Sequence, residues 1–232
     1  MRRRGANDFA SLLSDAERLA PRPTARFVPQ LGTVGPTPPK LRTGMLEASD
    51  EVLYTAWCQG DASAGNELAT RYGGQLARFF GNKVPDVAED LTQRTFLACM
   101  TAPQELRHSF RALLFGIARK QLLRHFEGRG MLRGEEMMSE ISIADLRTTP
   151  TQRIAQDEET DLLHRALAAL PMDAQIALEL RYWRKMSAEE IAEILGLSAA
   201  GARTRVHRAR ALLRERLEAL GQGRPMPEMV EP

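Results

Sequence analysis

The sequence is poor in the residues from which reactive and metal centres are built. Among 232 residues there are only two cysteines and four histidines. Cys58 and Cys99 stand 41 residues apart, outside any Cys-x-x-Cys or Cys/His spacing, so no zinc ligand set is expected and both read as reduced, buried small hydrophobes. His108, His125, His164 and His207 show no metal spacing, and no glycine-rich phosphate loop accompanies them. An acid pair at Glu89 and Asp90 with a histidine is the one hydrolase-like combination, but isolated acids near a helix start read as caps. No catalytic residue, metal or cofactor is therefore expected. Also missing is any apolar run near the roughly 18 to 20 residues of a membrane-spanning helix. The basic start Met1-Arg2-Arg3-Arg4 is followed by a stretch broken by Ser11, Asp15 and Glu17, which predicts no export signal and a cytoplasmic protein.

Charge of one sign is lacking as well. Lys and Arg number 32 against 30 Asp and Glu, a net +2, which on its face speaks against nucleic acid. The distribution says otherwise. Residues 199–216 hold six arginines and one glutamate, a local +5, whereas residues 157–197 hold nine acids and four bases, a local −5.

What is present is helical pattern. Six prolines within residues 21–39 exclude helix and central strand there, so residues 1–48 read as a disordered arm, interrupted by a helical island at Phe9, Leu12, Leu13, Ala16 and Leu19. From Asp50 the pattern predicts a helix to Gln59, a second capped by Asp61 and running through Phe79, a third opened by an Asp86-Val-Ala-Glu89 capping box, and a fourth from Ser109 to Phe126. Residues 128–156, with Gly128, Gly130, Gly134 and Pro150, read as a flexible linker. Helices resume over 157–221, and residues 222–232 read as a disordered tail. The expected fold is all-α: two small helical domains, 49–127 and 157–221, with no strand.

The clearest signal lies between Ser187 and Leu220. Ser187-Ala-Glu-Glu190 is a capping box, Ile191, Ile194 and Leu195 face inward, and Gly196-Leu197-Ser198 supplies a left-handed turn, a plug and a new cap. This is a helix-turn-helix layout. In the second helix Ala202, Val206, Ala209, Leu213 and Leu217 share one narrow arc, leaving Ser198, Arg203, Thr204, Arg205, His207, Arg208 and Arg210 as candidate contacts to duplex DNA. A solvated basic face on a structural helix is the competing reading. Residues 109–126 interleave Arg111, Arg119, Lys120 and Arg124 with two apolar arcs (Phe110, Leu113, Leu114, Ile117 and Phe115, Leu122, Phe126). That suits stacking and neutralisation of single-stranded DNA, and equally a helix packed on two sides.

Together these segments carry a resemblance. Ala168-Ala-Leu-Pro171, Leu180-Arg-Tyr182, Met186 through Ser198 and Arg205-Val-His-Arg-Ala-Arg210 closely resemble region 4 of bacterial sigma-70-type factors. Glu89-Asp-Leu-Thr-Gln-Arg-Thr-Phe96 and Phe110 through Arg119 resemble region 2 of the compact extracytoplasmic-function group. The resemblance implies a promoter-specificity subunit. Glu89, Asp90 and Gln93 would meet the clamp helices of the largest subunit of core RNA polymerase, with Phe96 mostly core. The flap of the second-largest subunit is a further expected contact of the protein, and the Ser198 to Arg210 helix would read the −35 element. Arg111, Arg119, Lys120 and Arg124 would capture the −10 strand. An anti-sigma partner belongs to the same picture; a membrane does not. Two departures bear on promoter preference: Lys120 and Arg124 replace the usual Asn and Asp, and Ala200-Gly201-Ala202 replaces Gly-Thr-Val. The alternative is a stand-alone helix-turn-helix regulator binding a palindromic duplex as a dimer.

Overall fold

The computed structural model describes residues 48–101, 106–146 and 158–220. The expected arm, its helical island and the tail lie outside them. No strand occurs among the described residues, whose only extended pairing is an isolated bridge between Ser142 and Pro171. They fall into two compact units, divided between His125 and Phe126.

The first unit starts with α1 (Asp50–Cys58), capped by Ser49, whose hydroxyl accepts from the Val52 amide at 3.4 Å. Asp61 caps α2 (Ala62–Gly81), accepting from the Ser63 and Ala64 amides at 2.9 and 3.4 Å; the Ser63 hydroxyl, donating to the same carboxylate, holds it below the ordinary carboxylate range. Arg71 ties the two helices, donating to Asp50 and to Glu67 at 2.8 Å each, and the Tyr72 hydroxyl also donates to Asp50. The expected capping box at Asp86 is not how the third helix begins. Pro85 starts a single 3-10 turn, Pro85–Val87, that takes Asp86 into its interior, and α3 (Ala88–Thr101) follows that turn directly.

The core of this unit is aromatic. Phe110, at the head of α4 (Phe110–Gly128), sits with its ring centroid 5.2 Å from Tyr54 and 5.5 Å from Tyr72. Phe79 stacks edge-on against Phe80 and Phe115 at 5.3 and 5.6 Å, and Trp57 meets Phe96 at 6.4 Å. Trp57 lies against Gly65, so close that a Cβ there would fall 2.4 Å from the indole nitrogen. Only glycine fits at that contact.

The second unit contains more of the chain than the expected domain. Part of the stretch read as a linker is built. Glu135–Ser139 forms a 3-10 turn, Ile143–Leu146 a single helical turn, α5, and Leu132, Met138 and Ile143 are buried. Ser142 and Asp145 cap one another: the Ser142 hydroxyl donates to the Asp145 carboxylate at 2.6 Å and accepts from the Asp145 amide at 3.2 Å, holding Asp145 below its ordinary pKa. The segment docks on the start of the next helices, where the Met172 amide donates to the Ile141 carbonyl at 3.0 Å.

Beyond it, α6 (Glu158–Ala168) and α7 (Met172–Leu178) are followed by a wide turn at Glu179–Trp183, then α8 (Ala188–Leu195) and α9 (Ala199–Leu220). Their common core is aliphatic: Leu163, Leu167 and Leu170 meet Ala174, Leu178, Ala209, Leu213 and Leu217, with Tyr182 and Trp183 at its edge.

Candidate nucleic-acid interface

The helix-turn-helix forms from local chemistry. The Ser187 hydroxyl accepts from the Glu190 amide at 3.2 Å while the Glu190 carboxylate accepts from the Ser187 amide at 2.9 Å, a complete capping box. α8 buries Ile191, Ile194 and Leu195 and ends at Gly196, whose φ of 66° is the left-handed region where a side chain would be strained. The Leu197 amide closes the turn on the Ala192 carbonyl at 2.9 Å. Ser198 then accepts from the Gly201 amide at 3.0 Å, so its exposed side chain caps the start of the next helix while its hydroxyl keeps a proton to donate.

α9 buries Ala202, Ala209, Leu213 and Leu217 on one stripe. At about 100° per residue the opposite arc carries Ala200, Arg203, Thr204, His207 and Arg208, all exposed. The structure thus gathers four of the seven sequence-selected residues of this helix-turn-helix on one face. Arg205 and Arg210 are half-buried beside the buried stripe, so they flank the face rather than crown it. Arg203 reaches back to Glu189 on α8 at 3.6 Å with both side chains exposed, a contact that water and salt weaken. A cleft of about 360 Å³ opens alongside, between Arg181, Tyr182, Ile191, Val206 and Arg210.

α4 presents a different surface. Phe110, Leu113, Leu114, Phe115, Ile117, Leu122 and Phe126 are all buried, so both apolar arcs are packed. Arg119 is only 3% exposed, which corrects its expected place as a surface contact: a guanidinium between two packed arcs is enclosed with them. Arg111 is half-buried, and Lys120 and Arg124 remain exposed.

On α3, Glu89, Asp90 and Gln93 are exposed while Leu91, Thr95, Phe96 and Cys99 are buried. Asp90 pairs with Arg94 at 3.0 Å along the helix. Sequence reasoning passed over Leu97 and Met100, 50% and 37% exposed, which continue the Gln93 face. Their positions four and seven residues after Gln93 were the available signal. Cys99 is buried, and burial pushes its thiol up to about 12, leaving it a packing residue without a nucleophile's thiolate. Cys58 is exposed, against the expectation of a buried residue, because the end of α1 turns it outward. Among the described residues no cluster of three His, Cys, Asp or Glu side chains could hold a metal ion, and no helix is long and apolar enough to cross a membrane.

Comparison with known proteins places this architecture. Residues 160–213 match the family described as sigma-70, region 4. The RNA polymerase sigma factor CnrH of Cupriavidus metallidurans is 31% identical over 185 residues, spanning 75% of this chain and 96% of CnrH. The ECF RNA polymerase sigma-E factor of Salmonella typhimurium is 26% identical over 187 residues, spanning 75% of this chain and 97% of that protein. The solved structure of CnrH in complex with the cytosolic domain of CnrY shares the fold with a TM-score of 0.55 and 25% identity, covering 74% of this chain and 99% of the solved one. By sequence and by fold, the chain belongs to the extracytoplasmic-function group of sigma-70-type RNA polymerase sigma factors, which act in transcription initiation.

Proposed function

We propose that this sigma factor reads a promoter with two helices while a third holds core RNA polymerase. The observation that carries the reading is the exposed Arg203, Thr204, His207 and Arg208 face of α9, held outward by a buried alanine and leucine stripe on a capped helix-turn-helix. A helix fits the major groove of duplex DNA, and arginine there pairs with guanine or phosphate. This face is assigned to the −35 element. Lys120 and Arg124, with half-buried Arg111 at the other end of α4, are assigned to the −10 strand, and Arg119 is reassigned to the core of the protein. Residues 49–127 and 157–221 carry these two functions, the ordered stretch before residue 147 belonging with the second.

Glu89, Asp90 and Gln93 on α3 are assigned to the polymerase clamp, and exposed Leu97 and Met100 extend that surface with apolar contact area of the kind that protein interfaces bury at their centre. The protein works as a non-catalytic subunit in the cytoplasm. A regulatory protein partner of the anti-sigma kind fits the same reading, since the relative CnrH was solved bound to the cytosolic domain of CnrY. Membership of the group disfavours the dimeric stand-alone regulator.

The test uses full-length protein and core enzyme. Asp90→Ala combined with Gln93→Ala is expected to abolish co-purification with core polymerase while leaving the helical circular dichroism spectrum unchanged. Normal co-purification would remove the assignment of α3.

A further inference from the structure

The exposed arc of α9 presents two kinds of surface. Arg203 and Arg208 bring donors and charge and His207 a polar ring, whereas Ala200 and Thr204, one turn apart and both exposed, lie between them. The Thr204 hydroxyl donates to the Ala200 carbonyl at 3.0 Å. Its proton is therefore committed inside the helix and is not offered to an acceptor on a base. The methyl branch of Thr204 is left for outside contact. Gly201 keeps the neighbouring surface low: a Cβ there would stand 3.3 Å from Ser198 Oγ and 3.4 Å from Leu197 Cβ, tighter than the turn accommodates without shifting. Between His207 and Arg208 the arc is thus low, carrying the methyl of Ala200 and that of Thr204.

Base edges in the major groove are almost wholly polar, and their one apolar feature is the C5-methyl group of thymine, on which alanine and threonine methyl groups pack. Resting on the assignment of α9 to duplex DNA, we propose that Thr204, supported by Ala200, sets promoter specificity by packing its methyl group against a thymine methyl in the −35 element. Arg203 and Arg208 then bond to neighbouring bases or phosphates and fix the register of that contact.

The experiment uses the full-length chain assembled with core RNA polymerase. A −35 element is first selected from a randomised duplex promoter pool, and each thymine in it is then replaced in turn by deoxyuridine, which removes only the methyl group. At one thymine or more, the replacement is expected to lower open-complex formation about fourfold, the effect of one buried methyl group. Thr204→Val keeps the methyl and is expected to keep this sensitivity; Thr204→Ser keeps the hydroxyl and is expected to lose it. Arg208→Ala serves as the control for the underlying assignment. A selected element without thymine, deoxyuridine that is silent everywhere, or a loss equally large with Thr204→Ser would each overturn the methyl contact while an Arg208→Ala defect still upheld α9 as the reader. Indifference both to Arg208→Ala and to scrambling of the −35 element would remove the α9 assignment and the proposal with it.

Discussion

α4 and α9 are both long helices rich in cations, and both bear the residues that sequence reasoning assigned to DNA. They differ in how much of their circumference is covered. α9 is packed along one stripe of Ala202, Ala209, Leu213 and Leu217, so the side chains opposite it stand in solvent. α4 is packed along two arcs, and a cation between them, Arg119, goes inside with them. The same residue type is a candidate DNA ligand on one helix and an interior group on the other. Burial, which depends on neighbours distant in sequence, decides between the two roles.

This contrast can be broken experimentally, the largest effect coming from the interior residue. Arg119→Ala is expected to destabilise the first unit by about 2–4 kcal/mol, the cost of emptying the space of a large side chain enclosed between packed apolar arcs. Urea denaturation measures this, and an unchanged midpoint would place Arg119 back at the surface. Arg208→Ala should do the reverse: thermal unfolding stays within about 0.5 kcal/mol of the parent, as surface substitutions usually do. Transcription in vitro from a −35-dependent promoter should fall on the order of 10- to 100-fold, the loss of one groove contact. Smallest is Lys120→Ala with Arg124→Ala, for which the salt dependence of promoter binding should flatten by about 0.7 in log–log slope for each lost contact to a single-stranded phosphate. An unaltered slope would free both residues of a role in holding the −10 strand.

The helix-turn-helix was more legible in the sequence than the first unit because its signals are local. A capping box at Ser187 and Glu190, a left-handed glycine at 196 and a cap at Ser198 each act within four residues, and each forms as its spacing dictates. The inward faces of α8 and α9 follow from period, except that Val206, expected in the core, is half-buried and lines the cleft. The fate of Arg119 could not be read in that way, since two apolar arcs on one helix suit either packing or base stacking. The stretch before residue 147 was missed for a related reason. Glycines at 128, 130 and 134 mark breaks, but Leu132, Met138 and Ile143 recur with no helical or strand period, so their burial comes from docking on α7 and leaves no repeat to detect. The shifted start of α3 has a smaller cause: Pro85 fixes a tight turn before the helix, and that turn takes in the acid expected to cap it. The polymerase assignment of Glu89, Asp90 and Gln93 came from the resemblance alone; periodicity explains only why they are outside.

The chain has two tryptophans, Trp57 pressed against Gly65 in the first unit and Trp183 at the edge of the aliphatic core of the second. Each unit therefore carries its own fluorophore. Indole emission is sensitive to surroundings, and these surroundings differ: Trp57 is enclosed by backbone and Phe96, while Trp183 is partly open to water. With Trp57→Phe or Trp183→Phe, the remaining signal follows one half of the molecule alone, so the order in which the halves unfold, or meet polymerase and promoter, becomes visible by fluorescence without any attached label.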